Sequence, residues 1–187
     1  MITTCSRPRQ HGTSMIEVLV TVVIVAFGLL GLAALQARMQ LSDMESYQRA
    51  QALVLLNDMS SRIATNRDKA ATYVTASALA GNAVCPTSAT TLEQVDTLQW
   101  CNALQGAAEI TGGNKAGAML GARGCIANIA PNEYMVTVAW QGMTPTARPA
   151  ATVTCGAGLY DGAAGTPCQT DLCRRTVTTV INIATLT

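Results

Sequence analysis

Residues 18–37 carry no charge, and between Val18 and Leu35 only Thr21, Gly28 and Gly31 interrupt a run of valine, leucine, isoleucine, alanine and phenylalanine. At 1.5 Å rise per residue such a helix climbs about 30 Å, the hydrocarbon thickness of a bilayer, so one membrane crossing is predicted within residues 13–37. Beyond Arg38 the pattern changes from continuous to periodic. Leu41, Met44, Gln48, Ala52, Leu55, Met59 and Ile63 recur at steps of three and four, and neither proline nor glycine intervenes before Gly81. That spacing predicts an amphipathic continuation over residues 38–67, ending near Asn66, with its stripe against a core. A single helix over 14–66 would be roughly 80 Å long. Gly28 and Gly31 lower helix propensity inside the span and permit close helix approach.

Residues 68–132 are rich in alanine, glycine, threonine and asparagine and read as a loop-rich connecting region. Two weakly helical pieces stand out in it, residues 91–105 and 117–120. Gly112-Gly113-Asn114-Lys115-Ala116-Gly117 lacks the spacing of a phosphate-binding loop and follows no strong strand, so a surface loop is predicted there. The strongest strand signal is residues 133–140. Tyr134, Val136, Val138 and Trp140 alternate with Met135, Thr137 and Ala139, and Gln141-Gly142 makes a turn. The Tyr/Val/Val/Trp face is predicted to bury, with Trp140 as a core anchor. A second strand is predicted over 175–186, with Val177, Thr179, Ile181 and Ile183 on one face and Thr178, Val180 and Asn182 on the other. Thr152-Val153-Thr154-Cys155 is a candidate third strand. Neither connection holds a crossover helix, so residues 133–187 form an antiparallel β region. The fold class is α+β, a long N-terminal helix packed on a small C-terminal antiparallel sheet.

One acid stands at the head of the apolar run. A carboxylate at bilayer depth costs on the order of 3 kcal/mol, so Glu17 calls for a partner and is a functional candidate. The segment Gly12-Thr13-Ser14-Met15-Ile16-Glu17-Val18 resembles the signal of type IV pilins and pseudopilins. The resemblance implies that a prepilin peptidase cuts between Gly12 and Thr13, removes residues 1–12 as a leader, and leaves the apolar run attached as an anchor, unlike ordinary signal-peptide removal. Members usually carry phenylalanine at the first mature position, which the peptidase also N-methylates. Thr13 stands there in this chain, which leaves methylation open.

Charge and cysteines agree with that reading. Losing Arg7 and Arg9 with the leader turns 12 bases against 11 acids into 10 against 11, which speaks against a nucleic-acid partner. The same two arginines, ahead of the apolar run with no acid beside them, keep the leader cytoplasmic and put the head in the periplasm. Cys5 and His11, the single histidine, leave with the leader. Cys85, Cys101, Cys125, Cys155, Cys168 and Cys173 remain, with no C-x-x-C among them, a pattern for disulfides in an oxidising compartment rather than for a metal site. Spacing gives a mild preference to Cys168 with Cys173 and leaves the other pairs open.

Three further stretches sharpen the resemblance: Leu56-Asn57-Asp58-Met59-Ser60-Ser61-Arg62-Ile63-Ala64-Thr65-Asn66, Tyr134-Met135-Val136-Thr137-Val138-Ala139-Trp140-Gln141-Gly142, and Cys173-Arg174-Arg175-Thr176-Val177-Thr178-Thr179. Together they look like the minor pilins of the PilV type, known as type IV pilus modification proteins. That resemblance implies an inner-membrane single-pass subunit that joins other minor pilins and the major pilin, engages the inner-membrane assembly machinery, primes pilus assembly and lies at the tip. Glu17 would serve subunit docking by pairing with a neighbour's N-terminal amine. A type II secretion pseudopilin shares the same leader and spine, and a pilus-displayed adhesin is the alternative from another class. An enzyme is not expected. The mature chain has no histidine, no nucleophile with a base, and no paired carboxylates at a recognisable spacing, while Asp58, Asp68, Glu93, Asp96, Glu109, Glu133, Asp161 and Asp171 read as solvated or capping acids. No cofactor is expected.

Overall fold

A computed structural model describes residues 14–106, 110–111, 114–115 and 119–184. In chain order the elements are α1 (Met15–Thr65), a 3-10 helix (Arg67–Tyr73), β1 (Leu79–Ala80), α2 (Leu92–Leu104), β2 (Ile110–Thr111), β3 (Asn114–Lys115), β4 (Arg123–Ala130), β5 (Glu133–Gln141) and β6 (Arg174–Asn182). The chain divides into two compact units at Asp43 and Met44. The first contains the apolar part of α1. Its described side chains are exposed, and it is long and apolar enough to cross a membrane. The second is the head.

Within the head, α1 buries Gln48, Ala52, Leu56, Met59 and Ile63, a stripe at steps of three and four that carries on the amphipathic pattern. Leu41 and Met44, expected on that stripe, are instead exposed. The reason is reach. The first side chain of α1 held by the sheet region is Glu45, whose Oε1 accepts from the Met143 backbone N–H at 2.8 Å and from Arg175 Nη2 at 3.0 Å.

The four-stranded sheet has the order β1-β4-β5-β6, antiparallel throughout. Pro131 and Asn132 join β4 to β5, and Asn132 takes the left-handed φ of 59° that the tight connection needs. β4 corrects the sequence reading, which placed residues 123–130 in a connecting loop. Gly124 and Ile126 lie opposite Val138 and Val136 and share with Tyr134 and Trp140 the face turned to the core. α2 brings Trp100, Cys101 and Leu104 into the same core, and the indole N–H of Trp100 donates to the Leu55 carbonyl at 2.9 Å. Val177 and Ile181 of β6, and Ile183 just beyond it, pack at its margin.

The opposite face of β5 is also covered, so Thr137 and Ala139 are as buried as the valines. Residues 143–173 fold over it. Cys155 and Tyr160 pack on Ala139, and the Tyr160 hydroxyl donates to the Gly121 carbonyl at 2.9 Å while the Arg123 guanidinium lies 4.8 Å from its ring centroid. Residues 152–155 are irregular rather than a third strand. Their backbone is held by a side chain: Arg174 Nη1 donates to the carbonyls of Val153 at 2.7 Å and Cys155 at 3.0 Å, and its Nη2 pairs with Asp171 at 3.1 Å. Carbonyls taken by a buried guanidinium are not free for a ladder. The weak helix expected at 117–120 and the surface loop expected at 112–117 fall largely outside the described residues, apart from the pairing of β2 with β3.

Candidate functional site

Two regions carry chemistry, the start of α1 and the polar tie between α1 and α2. At the start of α1, the backbone N–H groups of Glu17 and Val18 both bond to the Ser14 carbonyl, at 2.9 and 3.3 Å, which places Glu17 in the first helical turn. A carboxylate there suits the positive end of the helix dipole. Its side chain is exposed and has no ion-pair or hydrogen-bond partner among the described residues. Any partner must come from outside them. Thr21 satisfies its hydroxyl internally by donating to the Val18 carbonyl at 2.8 Å, so the run from Val18 onward presents only apolar groups and backbone already bonded within the helix. A Cβ added at Gly28 or Gly31 would meet nothing within 4 Å. Neither glycine serves packing among the described residues. Gly12 and Thr13 lie outside the described residues.

The head buries one acid that the sequence reading took as solvated. Asp96 is 7% exposed. Its Oδ1 accepts from Arg62 Nη1 at 2.8 Å and its Oδ2 from the Tyr73 hydroxyl at 2.5 Å; Arg62 also reaches Asp58 at 3.0 Å and Gln99 at 2.8 Å. Asn66 Nδ2 donates to the Tyr73 oxygen at 3.1 Å. The sequence held a signal for this. Asp96 sits four residues before Trp100 and eight before Leu104, on the buried stripe of α2. Burial pulls the Arg62 guanidinium down, but its bonds to Asp58 and Asp96 outweigh that and leave it raised. Burial and the neighbouring Asp96 push the Tyr73 hydroxyl up to about 12 from the ordinary 10.0. Because the folded state holds this proton more tightly than the unfolded state, the contribution is complete below pH 10 and is lost as pH rises toward 12. Denaturant midpoints measured from pH 9 to 12 should therefore fall across the upper part of that range, and Tyr73→Phe should flatten the fall. An equal fall in both proteins would remove Tyr73 as its cause.

The six cysteines beyond the leader form three disulfides, Cys85–Cys101, Cys125–Cys155 and Cys168–Cys173. The first ties the loop after β1 to α2, the second ties β4 to the covering excursion, and the third closes the end of that excursion just before β6. Among the described residues no group of three His, Cys, Asp or Glu side chains is placed to hold a metal. The 530 Å³ hollow beside Cys85, lined by Val84, Pro86 and Leu98 among others, holds no convergent set of charged groups.

Residues 7–33 match the family model described as the prokaryotic N-terminal methylation motif. No curated protein and no solved structure matches the chain. The motif is the prepilin-type signal, and with the long helix, the antiparallel sheet and the three disulfides it supports a type IV pilin-like or pseudopilin protein. It implies cleavage by prepilin peptidase and involvement of pilus assembly machinery. A signal of this type followed by a long apolar helix fits membrane anchoring, and the motif suggests a structural protein rather than an enzyme.

Proposed function

We propose that this chain is a minor pilin of the type IV pilus, similar to the PilV type, which is cut between Gly12 and Thr13, held in the inner membrane with its head in the periplasm, and assembled with other minor pilins into a complex that primes the filament and stays at its tip. The observation that carries the proposal is Glu17, an exposed carboxylate without a partner among the described residues, in the first turn of an uninterrupted apolar helix. The cost of a lone charge in lipid is offset if the new amine of Thr13 on a neighbouring subunit meets it, and only cleavage creates that amine. Pairing of this kind fixes the axial register between subunits.

Glu17→Ala is expected to be processed and inserted as the parent is, yet to reduce entry into pili at least about tenfold, the factor that corresponds to roughly 1.4 kcal/mol of lost pairing. Glu17→Asp keeps the charge and should restore part of it. Undiminished surface piliation in a strain relying on Glu17→Ala would sink the docking role. The matched residues serve pseudopilins of type II secretion equally well. Recovery of the chain with secretion components, and a secretion defect without a piliation defect on its deletion, would move the assignment to that machine.

A further inference from the structure

Four arginines among the described residues of the head are not exposed, Arg62, Arg123, Arg174 and Arg175. Three of them meet carboxylates: Arg62 meets Asp58 and Asp96, Arg174 meets Asp171, and Arg175 meets Glu45. Arg123, at the start of β4, meets none among the described residues, although only 9% of it is exposed. A guanidinium does not shed its proton to escape such a place. A charge buried without a counter-charge is costly, so the missing anion calls for a source.

The side chain is held so that one edge of its fork stays unused. Nη1 donates to the Gly121 carbonyl at 3.1 Å, an oxygen that also accepts from the Tyr160 hydroxyl, and Cζ lies 4.8 Å from the Tyr160 ring centroid. Nε and Nη2, which share the other edge, have no hydrogen-bond acceptor among the described residues. Two glycines in the left-handed region, Gly81 and Gly121, leave room beside the group. A Cβ at Gly81 would fall 2.8 Å from Nε and 2.9 Å from Cζ, and one at Gly121 would fall 3.6 Å from Nη1. The neighbours do not supply the charge. Arg123, Arg174 and Asp171 all act on the Tyr160 hydroxyl, but Asp171 is taken by Arg174 at 3.1 Å and by the Gly158 N–H at 2.8 Å. The Nε of Arg174 is itself buried without a partner. Two arginines thus stand against one carboxylate.

We propose that Arg123 is the binding site for a carboxylate from outside this chain, gripped side-on by Nε and Nη2. Two parallel N–H groups match the two oxygens of a carboxylate, and a single excess positive charge matches a monoanion. A phosphate dianion would bring a second charge that nothing in the cluster offsets, and chloride offers one point to two diverging donors. The carboxylate is either an acidic side chain of another subunit or a free small molecule.

The test uses the full chain in detergent micelles, with sodium acetate as the probe and sodium chloride at equal ionic strength as the reference. The Arg123 Nε–H resonance should move downfield and saturate with acetate, at least about tenfold further than with chloride, while those of Arg62, Arg174 and Arg175 stay in place. Acetate should also raise the melting temperature of the parent but not of Arg123→Lys, which keeps the charge and loses the fork. Arg123→Met without acetate should melt no lower than the parent, because it removes a charge that has no counter-charge. Equal shifts with acetate and chloride, an equal rise with acetate in Arg123→Lys, or a marked fall in the melting temperature of Arg123→Met would each overturn the site. So would a displaced Arg123 resonance in Glu109→Gln before acetate is added, since the anion would then be the chain's own. The source is read in cells, and this arm alone rests on the assembly reading. Entry of Arg123→Met into pili should fall at least about tenfold if the carboxylate belongs to a neighbouring subunit, and unchanged entry assigns the site to a free small carboxylate.

Discussion

Replacing Gly124 by alanine should destabilise the head by about 3 kcal/mol, the upper end of what an added methylene does in a packed core. Gly124 lies on the core face of β4, paired with Leu79 on one side and Val138 on the other. A Cβ built there falls 2.3 Å from Trp100 Cη2, 2.5 Å from Trp100 Cζ3 and 2.6 Å from Leu104 Cδ1. No real contact is that short, so something must shift, and the indole has little freedom to do so. It is fully buried, its N–H is bonded to the Leu55 carbonyl at 2.9 Å, and the next residue, Cys101, is fixed to Cys85. Urea unfolding of the full chain in detergent reads the difference as a lower midpoint at unchanged slope. Gly28→Ala, where nothing lies within 4 Å, is the control and should leave the head unchanged. A midpoint unmoved by Gly124→Ala would mean that Trp100 does not close over β4.

The second large effect is expected from the disulfide that holds the excursion. Cys125 and Cys155 are 30 residues apart, and a closed loop of that length corresponds to roughly 3.5 kcal/mol in the chain-entropy account. Cys168 and Cys173, 5 apart, correspond to roughly 2 kcal/mol. Cys125→Ala with Cys155→Ala should therefore lower the melting temperature more than Cys168→Ala with Cys173→Ala. It should also open residues 143–173 to protease before the rest of the head, because Tyr160 and Arg174 are then the main remaining ties over Thr137 and Ala139. The reverse order of melting temperatures, or protection of the excursion in the first variant, would contradict the role given to Cys125–Cys155.

Much of the fold was legible because its strongest elements are periodic. Residues 18–37 announce an uncharged span and the stripe through Gln48, Ala52, Met59 and Ile63 announces a packed helix, since one face of each pattern has a single physical use. β5 was equally plain in the alternation of Tyr134, Val136, Val138 and Trp140. β4 was not, because Arg123, Gly124, Ala127 and Ala130 have little strand preference of their own and become a strand through partners on both sides. The excursion misled for the opposite reason. Thr152, Val153 and Thr154 favour strand locally, yet Arg174, distant in sequence, takes the carbonyls that a ladder would need. Asp96 was hidden by a habit of reading acids as solvated, and only its place on the Trp100 stripe marked it. At the N-terminus the balance reverses. Gly12, Thr13 and Glu17 were legible as a motif, while Gly12 and Thr13 lie outside the described residues and Glu17 meets no partner among them.

The measurement that bears most directly on the account is the intact mass and N-terminal sequence of the protein recovered from membranes of cells that make prepilin peptidase. A start at Thr13, with or without a methyl group, is the predicted result. A start at Ala34 would mean ordinary signal-peptide processing after Gly31-Leu32-Ala33 and a chain freed from the membrane, and an uncut Met1 would mean a plain anchor. Either would contradict assembly through Glu17 and a newly made amine.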